Sequence, residues 1–306
     1  MKNYLTIFRK KIILISLLIV IRQLFLVLAQ RLNAEIFEGL VEMDFFFFMY
    51  ILIAMIATWV IVISLDAINK VFEEDLLLNM QINIRRDITQ KMIDTDYQSF
   101  NTYSSGNYLS WLNDDVKTIS EKGLKQYFNL TRGASGVIFA SIALLQYHWL
   151  LLLTTIVGFI CMYFIPKIFN KKIYETSAEV TKANEQFVEK LEDQLKGYSV
   201  YFVYAKLGKL VSSINKASQS LKRVMMKQVK LETLLHSTNF SINVFFQILL
   251  TFVAAVSYFN NWVNVGAVAI VGSLADIIFS GLGSMSFQIS SMKSVVPIFD
   301  KYDQLV

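Results

Sequence analysis

The chain alternates between long apolar stretches and polar connections. A helix that spans the hydrocarbon core of a bilayer needs about 20 mostly apolar residues. Windows of this kind cover residues 12–32, 45–65, 128–145, 149–169, 240–259 and 262–282. A membrane β-barrel would need short alternating segments instead, so the pattern predicts six transmembrane helices.

The polar connections between these windows differ greatly in length. Residues 146–148 and 260–261 are short turns, whereas residues 66–127 and 170–239 form two long connections. The long connections lack the Pro and Gly/Ser tracts of flexible linkers. We therefore predict that each forms a helical hairpin continuous with the membrane helices. The fold class is an all-α polytopic membrane protein, with residues 1–306 in a single domain.

Lys and Arg predict the orientation, because cytoplasmic loops carry an excess of both. Both long connections are rich in Lys and Arg, and the two short turns contain none. The N-terminal segment also carries four, namely Lys2, Arg9, Lys10 and Lys11. We expect both termini and both hairpins to be cytoplasmic, in the plasma membrane of a bacterium.

Composition supports a membrane protein. Hydrophobic residues make up 55% of the chain and charged residues 17%, against about 25% charged in soluble domains. This excludes a disordered or collagen-like chain. The net charge of +5 favours anionic lipids rather than nucleic acid as the partner. Cys161, the one cysteine, cannot form an internal disulfide.

Turn residues and aromatic side chains mark the tip of each hairpin. The first tip lies around residues 94–107, and Gly197 and Gly208 bracket the second. Aromatic side chains at the water-exposed end of a hairpin usually need a partner surface. Two explanations stay open: the tips pack against the hairpins themselves, or they dock on a soluble protein or domain.

The first hairpin resembles a known family. Short outer turns and two long inner hairpins look like the transmembrane domain of an ABC exporter of the type I (now type IV) fold. Residues 106–116, with Phe100 before them, are similar to the family segment FF…GDLLSRLTNDV. Asn107 replaces the usual Asp, and Trp111 replaces the usual Arg. Residues 189–209 resemble the segment at the second hairpin.

The resemblance implies coupling helices near residues 97–105 and 201–209, which would seat in ATP-binding domains. The chain would pair with a second transmembrane domain as a homodimer or heterodimer. ATP and Mg would bind to an ATP-binding domain, expected after residue 306 or on a separate subunit. The residues that would couple the membrane domain to it are Tyr97, Phe100, Tyr103, Gly106, Tyr201, Tyr204 and Lys206.

The sequence itself contains no ATPase motif. A phosphate-binding loop needs G-x-x-x-x-G-K-[ST], but Gly208-Lys209 is followed by Leu210 and lacks the earlier Gly. No LSGGQ-like signature, H-E-x-x-H motif or Cys cluster occurs either. We expect no catalytic residue, metal site or cofactor in this chain, which would be one part of an ATP-hydrolysing translocase.

Charged residues inside the predicted spans indicate function, because each costs at least about 2.5–3.5 kcal/mol to insert. Arg22 and Asp276 lie near the middle of the first and sixth windows. Either they contact substrate, or they form an internal ion pair. Asp66, at the inner end of the second window, is expected to face the cytosol. The candidate translocation pathway comprises Arg22, Gln23, Gln247, Asp276 and Ser280.

The leading hypothesis is the membrane half of an ATP-driven exporter that moves a drug, lipid or peptide outward. One alternative is an ion-coupled secondary transporter, which should show broken helices and several carboxylates near the midplane. Of the carboxylates, Asp276 alone lies centrally in a predicted span. The other alternative is a membrane scaffold whose hairpins recruit a cytosolic partner.

Overall fold

A computed structural model of the chain describes residues 6–100, 105–296 and 298. The regular secondary structure of these residues is helical. Two π-helical segments, Trp111–Asp115 and Ser120–Leu124, flank α5. The helices are α1 (Arg9–Val41), α2 (Phe45–Asp94), α3 (Tyr97–Phe100), α4 (Ser105–Ser110), α5 (Val116–Ile119), α6 (Lys125–Tyr147), α7 (Trp149–Lys196), α8 (Tyr198–Val203), α9 (Leu207–Phe259) and α10 (Val265–Ser294).

Five helical stretches in the described part of the chain are long and apolar enough to cross a membrane. They are α1, α2, Gly106–Tyr147, α9 and α10. The predicted window 149–169 corresponds to a shorter apolar stretch, Trp149–Met162 in α7. The all-helical fold with several long apolar helices is therefore confirmed. The count of six spans and the cytoplasmic hairpins remain predictions.

Side-chain caps begin two of these helices after tight turns. The Asp44 carboxylate accepts a hydrogen bond from the Phe47 amide at 3.0 Å and caps α2. The Asn264 side chain accepts one from the Ala267 amide at 3.1 Å and caps α10. Such N-caps satisfy amides that have no partner within the helix. In the turn before α2, Met43 has a φ of 55°.

The chain divides into two compact units, one of which combines Met1–Phe159 with Phe246–Val306. Its main apolar cluster follows helical periodicity, because four of the five residues that α2 contributes, Leu76, Met80, Ile84 and Ile88, are spaced four apart, and the fifth is Leu77. Other buried members come from α1 and from the chain between α4 and α6. They are Ile12, Ile15, Ile19, Tyr108, Trp111, Val116, Ile119, Leu124 and Phe128, and Val295 at the end of α10 completes the cluster.

Glycines bring α10 close to α1 and α6 in this first unit. A Cβ built on Gly266 would lie 2.5 Å from the Ala34 carbonyl oxygen of α1. A Cβ built on Gly281 would lie 3.0 Å from the Gly133 carbonyl oxygen of α6. Small residues let membrane helices approach closely enough for backbone contact. The two crossings therefore hold α10 against both neighbours.

The second unit, Ile160–Phe245, comprises α8 and the adjoining parts of α7 and α9. Within it, the Lys227 ammonium of α9 lies 3.5 Å from the Glu179 carboxylate of α7. Ala183 and Phe187 of α7 and Leu221 of α9 line a common small cavity. The two long helices therefore pack side by side here, with α8 in the connection between them.

Candidate functional site

A polar pocket lies between α1, α6 and α10 in the first unit. Its volume is about 330 Å³, at the small end of the range of ~300–1,000 Å³ typical of ligand sites. Both arginines in the lining come from helices that are apolar enough to cross a membrane. The lining residues are Arg22, Gln23, Leu26, Asn129, Arg132, Gly133, Gly136, Ile277, Ser280, Gly281, Ser284 and Gln288.

The Arg22 guanidinium has two polar partners in the structure. Its Nη1 donates a hydrogen bond to the Gln23 side-chain oxygen, and its Nη2 lies 3.5 Å from the Asp66 carboxylate of α2. The same carboxylate lies closer, at 2.9 Å, to the Lys70 ammonium. Asp66 is therefore shared between two cations, and Arg22 has the longer of the two contacts.

Arg132 has a shorter ion pair of its own. Its Nη2 donates to the Glu73 carboxylate of α2 at 2.6 Å, and its Nη1 donates to the Asn129 side chain at 2.8 Å. Only 12% of the Glu73 side chain is exposed. The Gln23 amide donates to the Arg132 carbonyl at 3.0 Å. This network links α1, α2 and α6 and compensates the cost of burying the charges.

The structure divides the predicted pathway residues between two places. Arg22, Gln23 and Ser280 line the pocket. Gln247 and Asp276 lie together outside its lining, where the Gln247 amide donates to the exposed Asp276 carboxylate at 3.4 Å. The ion-pair contact that Arg22 makes here is with Asp66 of α2, at 3.5 Å, and its predicted role in the pathway stays a prediction.

The sequence analysis did not select Arg132 or Glu73 of this network, and it expected Asp66 to face the cytosol, whereas Asp66 contacts Arg22. Arg132 is a charge inside the predicted window 128–145, so the rule that selected Arg22 should have selected it too. Asp66 and Glu73 follow the second window, and nothing local distinguishes them from other acidic residues of the hairpin. Their pairing with arginines depends on which faces of α1, α2 and α6 meet.

The first predicted tip contains the short helix α3. Tyr97 is 82% exposed, whereas Phe100 is 37% exposed and stacks on Tyr108 with ring centroids 4.7 Å apart. The Tyr108 hydroxyl donates to the Phe100 carbonyl at 2.9 Å. Gly106 lies in α4, and Tyr103 falls outside the described residues. Tyr97 therefore presents the exposed aromatic surface, while Phe100 packs on the hairpin itself.

The π-helical segment after α4 has a side-chain partner for one of its carbonyl groups. The Arg85 Nε of α2 donates to the Leu112 carbonyl at 3.0 Å. A π-helical turn interrupts the regular α-helical hydrogen-bond ladder and often lies at functional sites. Arg85, part of the polar segment before the first tip, thereby links α2 to this irregular turn.

The second tip is α8, whose exposed surface is largely apolar. The predicted coupling residues Tyr204 and Lys206 are both exposed, and the Tyr201 hydroxyl donates to the Gln194 side chain at 2.9 Å. The helix covers Tyr198–Val203 and so begins before the predicted segment 201–209. The exposed large hydrophobic residues here are Tyr198, Val200, Phe202, Val203 and Tyr204.

In the described part of the chain, no group of three or more His, Cys, Asp or Glu residues is arranged to hold a metal ion.

Comparison with protein families gives a match to the model of the ABC transporter transmembrane region over residues 11–282. The matched range includes both tips and all pocket residues except Ser284 and Gln288. No curated protein matches the chain.

Proposed function

The chain belongs to the family of ABC transporter transmembrane regions, and from that membership we propose that it forms the translocation pathway of an ATP-driven exporter. ATP and Mg²⁺ bind to an ATP-binding domain, carried by the same polypeptide or by a separate subunit. A second transmembrane domain completes the pathway. Both termini face the cytoplasm of a bacterial cell, as the distribution of Lys and Arg predicts.

The observation that carries the proposal is the apolar surface of α8. Phe202 is 63% exposed, Val203 77% and Tyr204 71%, and they occupy consecutive positions at the end of a short connecting helix. Large apolar side chains grouped on a polar hairpin mark a docking surface for another protein. In this proposal the partner is an ATP-binding domain, and Tyr97 of α3 provides a second contact.

The polar pocket supports the transport part of the proposal. Two arginines on apolar helices are expensive to insert, and both point to a requirement for polar chemistry within the membrane domain. The pocket lies between three different helices, so relative movement of α1, α6 and α10 would change its shape. Such movement is what alternating access requires of a transport pathway.

The test uses the intact transporter reconstituted in liposomes and needs no known substrate. A spin label at Met43→Cys, in a Cys161→Ser background, reports the distance to a second label on the outer turn of the partner transmembrane domain, which is the same position of a second copy if the transporter is a homodimer. When the tips α3 and α8 are unmodified, ATP with vanadate is expected to change this distance. Tyr97→Ala and Tyr204→Ala should abolish the change while membrane insertion is retained. Tyr97 is a cleaner probe than Phe100, whose ring stacks on Tyr108.

Phe259→Ala is the matched control, because it removes an aromatic side chain that is 81% exposed at the predicted outer end of α9. It should leave the ATP-dependent distance change intact. If ATP with vanadate leaves the distance between the outer turns unchanged in the protein with unmodified tips, the exporter proposal is contradicted. An equal response in both tip variants and the control would instead contradict the docking role.

A further inference from the structure

We propose that the pocket between α1, α6 and α10 binds a singly charged oxyanion of the phosphodiester or carboxylate type. The inference rests on the proposed function, because it names the chemical class that the transport pathway recognises. Four features of the described residues carry it. They are the sign of the lining charges, the sharing of Asp66, two polar atoms without partners, and the size of the pocket.

The lining is cationic. Arg22 and Arg132 both line the pocket, and none of the described lining residues is acidic. The compensating carboxylates, Asp66 and Glu73, belong to α2 and lie outside the lining. A ligand in the pocket therefore meets guanidinium groups and neutral polar side chains, which are the partners that planar and tetrahedral oxyanions prefer.

The charge compensation is incomplete at Arg22. Glu73 contacts Arg132 at 2.6 Å, but Asp66 divides its two oxygens between Lys70 at 2.9 Å and Arg22 at 3.5 Å. These ion pairs contain three cations and two carboxylates. Lys70 is 73% exposed, so water compensates its charge. Its closer contact with Asp66 still leaves Arg22 able to pair with one further negative charge, and we therefore infer a ligand group with a single charge.

Two buried polar atoms of the lining residues lack a hydrogen-bond partner within the described chain. They are the Nε of Arg22 and the Oε1 of Gln288. The Gln288 side chain is 7% exposed, and its amide nitrogen already donates to the Ser284 hydroxyl at 3.2 Å. A buried polar atom without a partner is costly. An oxyanion would accept from Arg22, and a hydroxyl group on the same ligand would donate to Gln288.

The pocket size limits what can enter. A volume of about 330 Å³ accommodates a headgroup or a small anion rather than a complete lipid. Gly133, Gly136 and Gly281 form part of the wall, but the space beside their Cα atoms is occupied by neighbouring helices and adds no room for a ligand. The proposed chemistry therefore has two sources, the headgroup of a lipid or a small soluble molecule, and the experiment must distinguish them.

The experiment measures binding to the purified full chain in detergent micelles by native mass spectrometry, without ATP. The lipid probes are phosphatidylglycerol, whose phosphodiester carries one negative charge, and diacylglycerol, which has no phosphodiester and no charge. Glycerophosphoglycerol is the soluble probe with the same headgroup. We expect the unmodified chain to bind phosphatidylglycerol about tenfold more tightly than diacylglycerol, as for one hydrogen bond to a charged group.

Two pocket variants test the assignment without leaving a carboxylate unpaired. Arg22→Gln combined with Asp66→Asn removes one ion-pair partner of each sign, and Gln288→Leu removes the amide without changing the charge. Each should weaken phosphatidylglycerol binding by about tenfold. Arg31→Gln is the matched control, because it removes an exposed arginine of the same helix that is paired with Glu35, and it should change nothing.

Binding of glycerophosphoglycerol with the same variant pattern would identify a soluble anion, and binding of the lipid alone would identify a headgroup. The inference is overturned if neither probe binds, if the two lipids bind equally, or if both pocket variants bind like the unmodified chain. Because this assay uses no ATP, such a failure leaves the exporter proposal to its own test. Loss of the ATP response would likewise leave the binding result standing.

Discussion

Gly266 provides the sharpest test of the helix packing that shapes the pocket. In a Gly266→Ala variant, the new Cβ would lie 2.5 Å from the carbonyl oxygen and 2.8 Å from the carbonyl carbon of Ala34. Both atoms belong to the backbone of α1, so no side-chain rotation can relieve the contact. The variant must push α10 away from α1. Gly272 is the matched control on the same helix, since a Cβ there meets nothing within 4 Å.

The expected magnitudes follow from this geometry. Overpacking of a tight contact costs about 1–3 kcal/mol, and replacing a helical Gly by Ala returns at most about 1 kcal/mol. We therefore expect Gly266→Ala to lower the free energy of unfolding by about 1–2 kcal/mol. Gly272→Ala meets no steric contact and should raise it by about 0.5–1 kcal/mol.

The assay is reversible unfolding of the purified chain in mixed micelles, followed by circular dichroism as the denaturing detergent is increased. The two alanine variants should move the transition in opposite directions. Because α1 and α10 both line the pocket, Gly266→Ala should also weaken phosphatidylglycerol binding, whereas Gly272→Ala should not. Equal stability of the two variants would refute the close approach of α10 to Ala34.

Three further predictions concern the ion pair, a turn and the π-helical segment. Arg132→Gln leaves Glu73 buried without its cation and should lower the free energy of unfolding by about 3 kcal/mol, the low end for a broken buried pair. The double variant Arg132→Gln/Glu73→Gln should recover most of this loss. A double-mutant cycle in the unfolding assay measures the coupling between the two residues, and strictly additive effects would contradict it. Ala205 has a φ of 51°, a left-handed conformation that glycine adopts more easily than alanine. Ala205→Gly should therefore stabilise the second unit by up to about 1 kcal/mol and slow proteolysis near α8. Faster cleavage would count against the left-handed turn. Arg85→Met removes the donor to the Leu112 carbonyl and should lower the free energy of unfolding by about 1 kcal/mol. It should also raise the amide exchange rate around the π-helical segment Trp111–Asp115. An unchanged exchange rate would show that the contact is not formed.

The apolar windows predicted most of the helices because a membrane helix is specified locally, by about 20 consecutive apolar residues. The ends are less predictable. The predicted window 12–32 lies inside α1, which runs from Arg9 to Val41, because helical hydrogen bonding continues into the polar flanks. The π-helical turns also gave no signal in the sequence, since they depend on packing around residues such as Trp111, which is 4% exposed.

The candidate site was predictable only in part for a similar reason. Arg22 stands out in an apolar window whatever surrounds it, and the structure does place it in a polar pocket. Its partner Asp66 does not stand out, because pairing across helices depends on rotation and register that a single sequence does not contain. Periodicity indicates which residues share one face of a helix, but which faces of two helices contact each other is seen only in the structure.

The Asp276 carboxylate has a consequence for how the protein is made. It lies exposed on α10, within a helix apolar enough to cross a membrane. In a solitary copy surrounded by acyl chains, a charge at this depth costs about 2.5–3.5 kcal/mol, roughly two orders of magnitude in an insertion equilibrium. If the chain pairs with a second transmembrane domain as proposed, that pairing would remove this cost wherever it covers Asp276, and the amount of protein in the membrane should then depend on assembly.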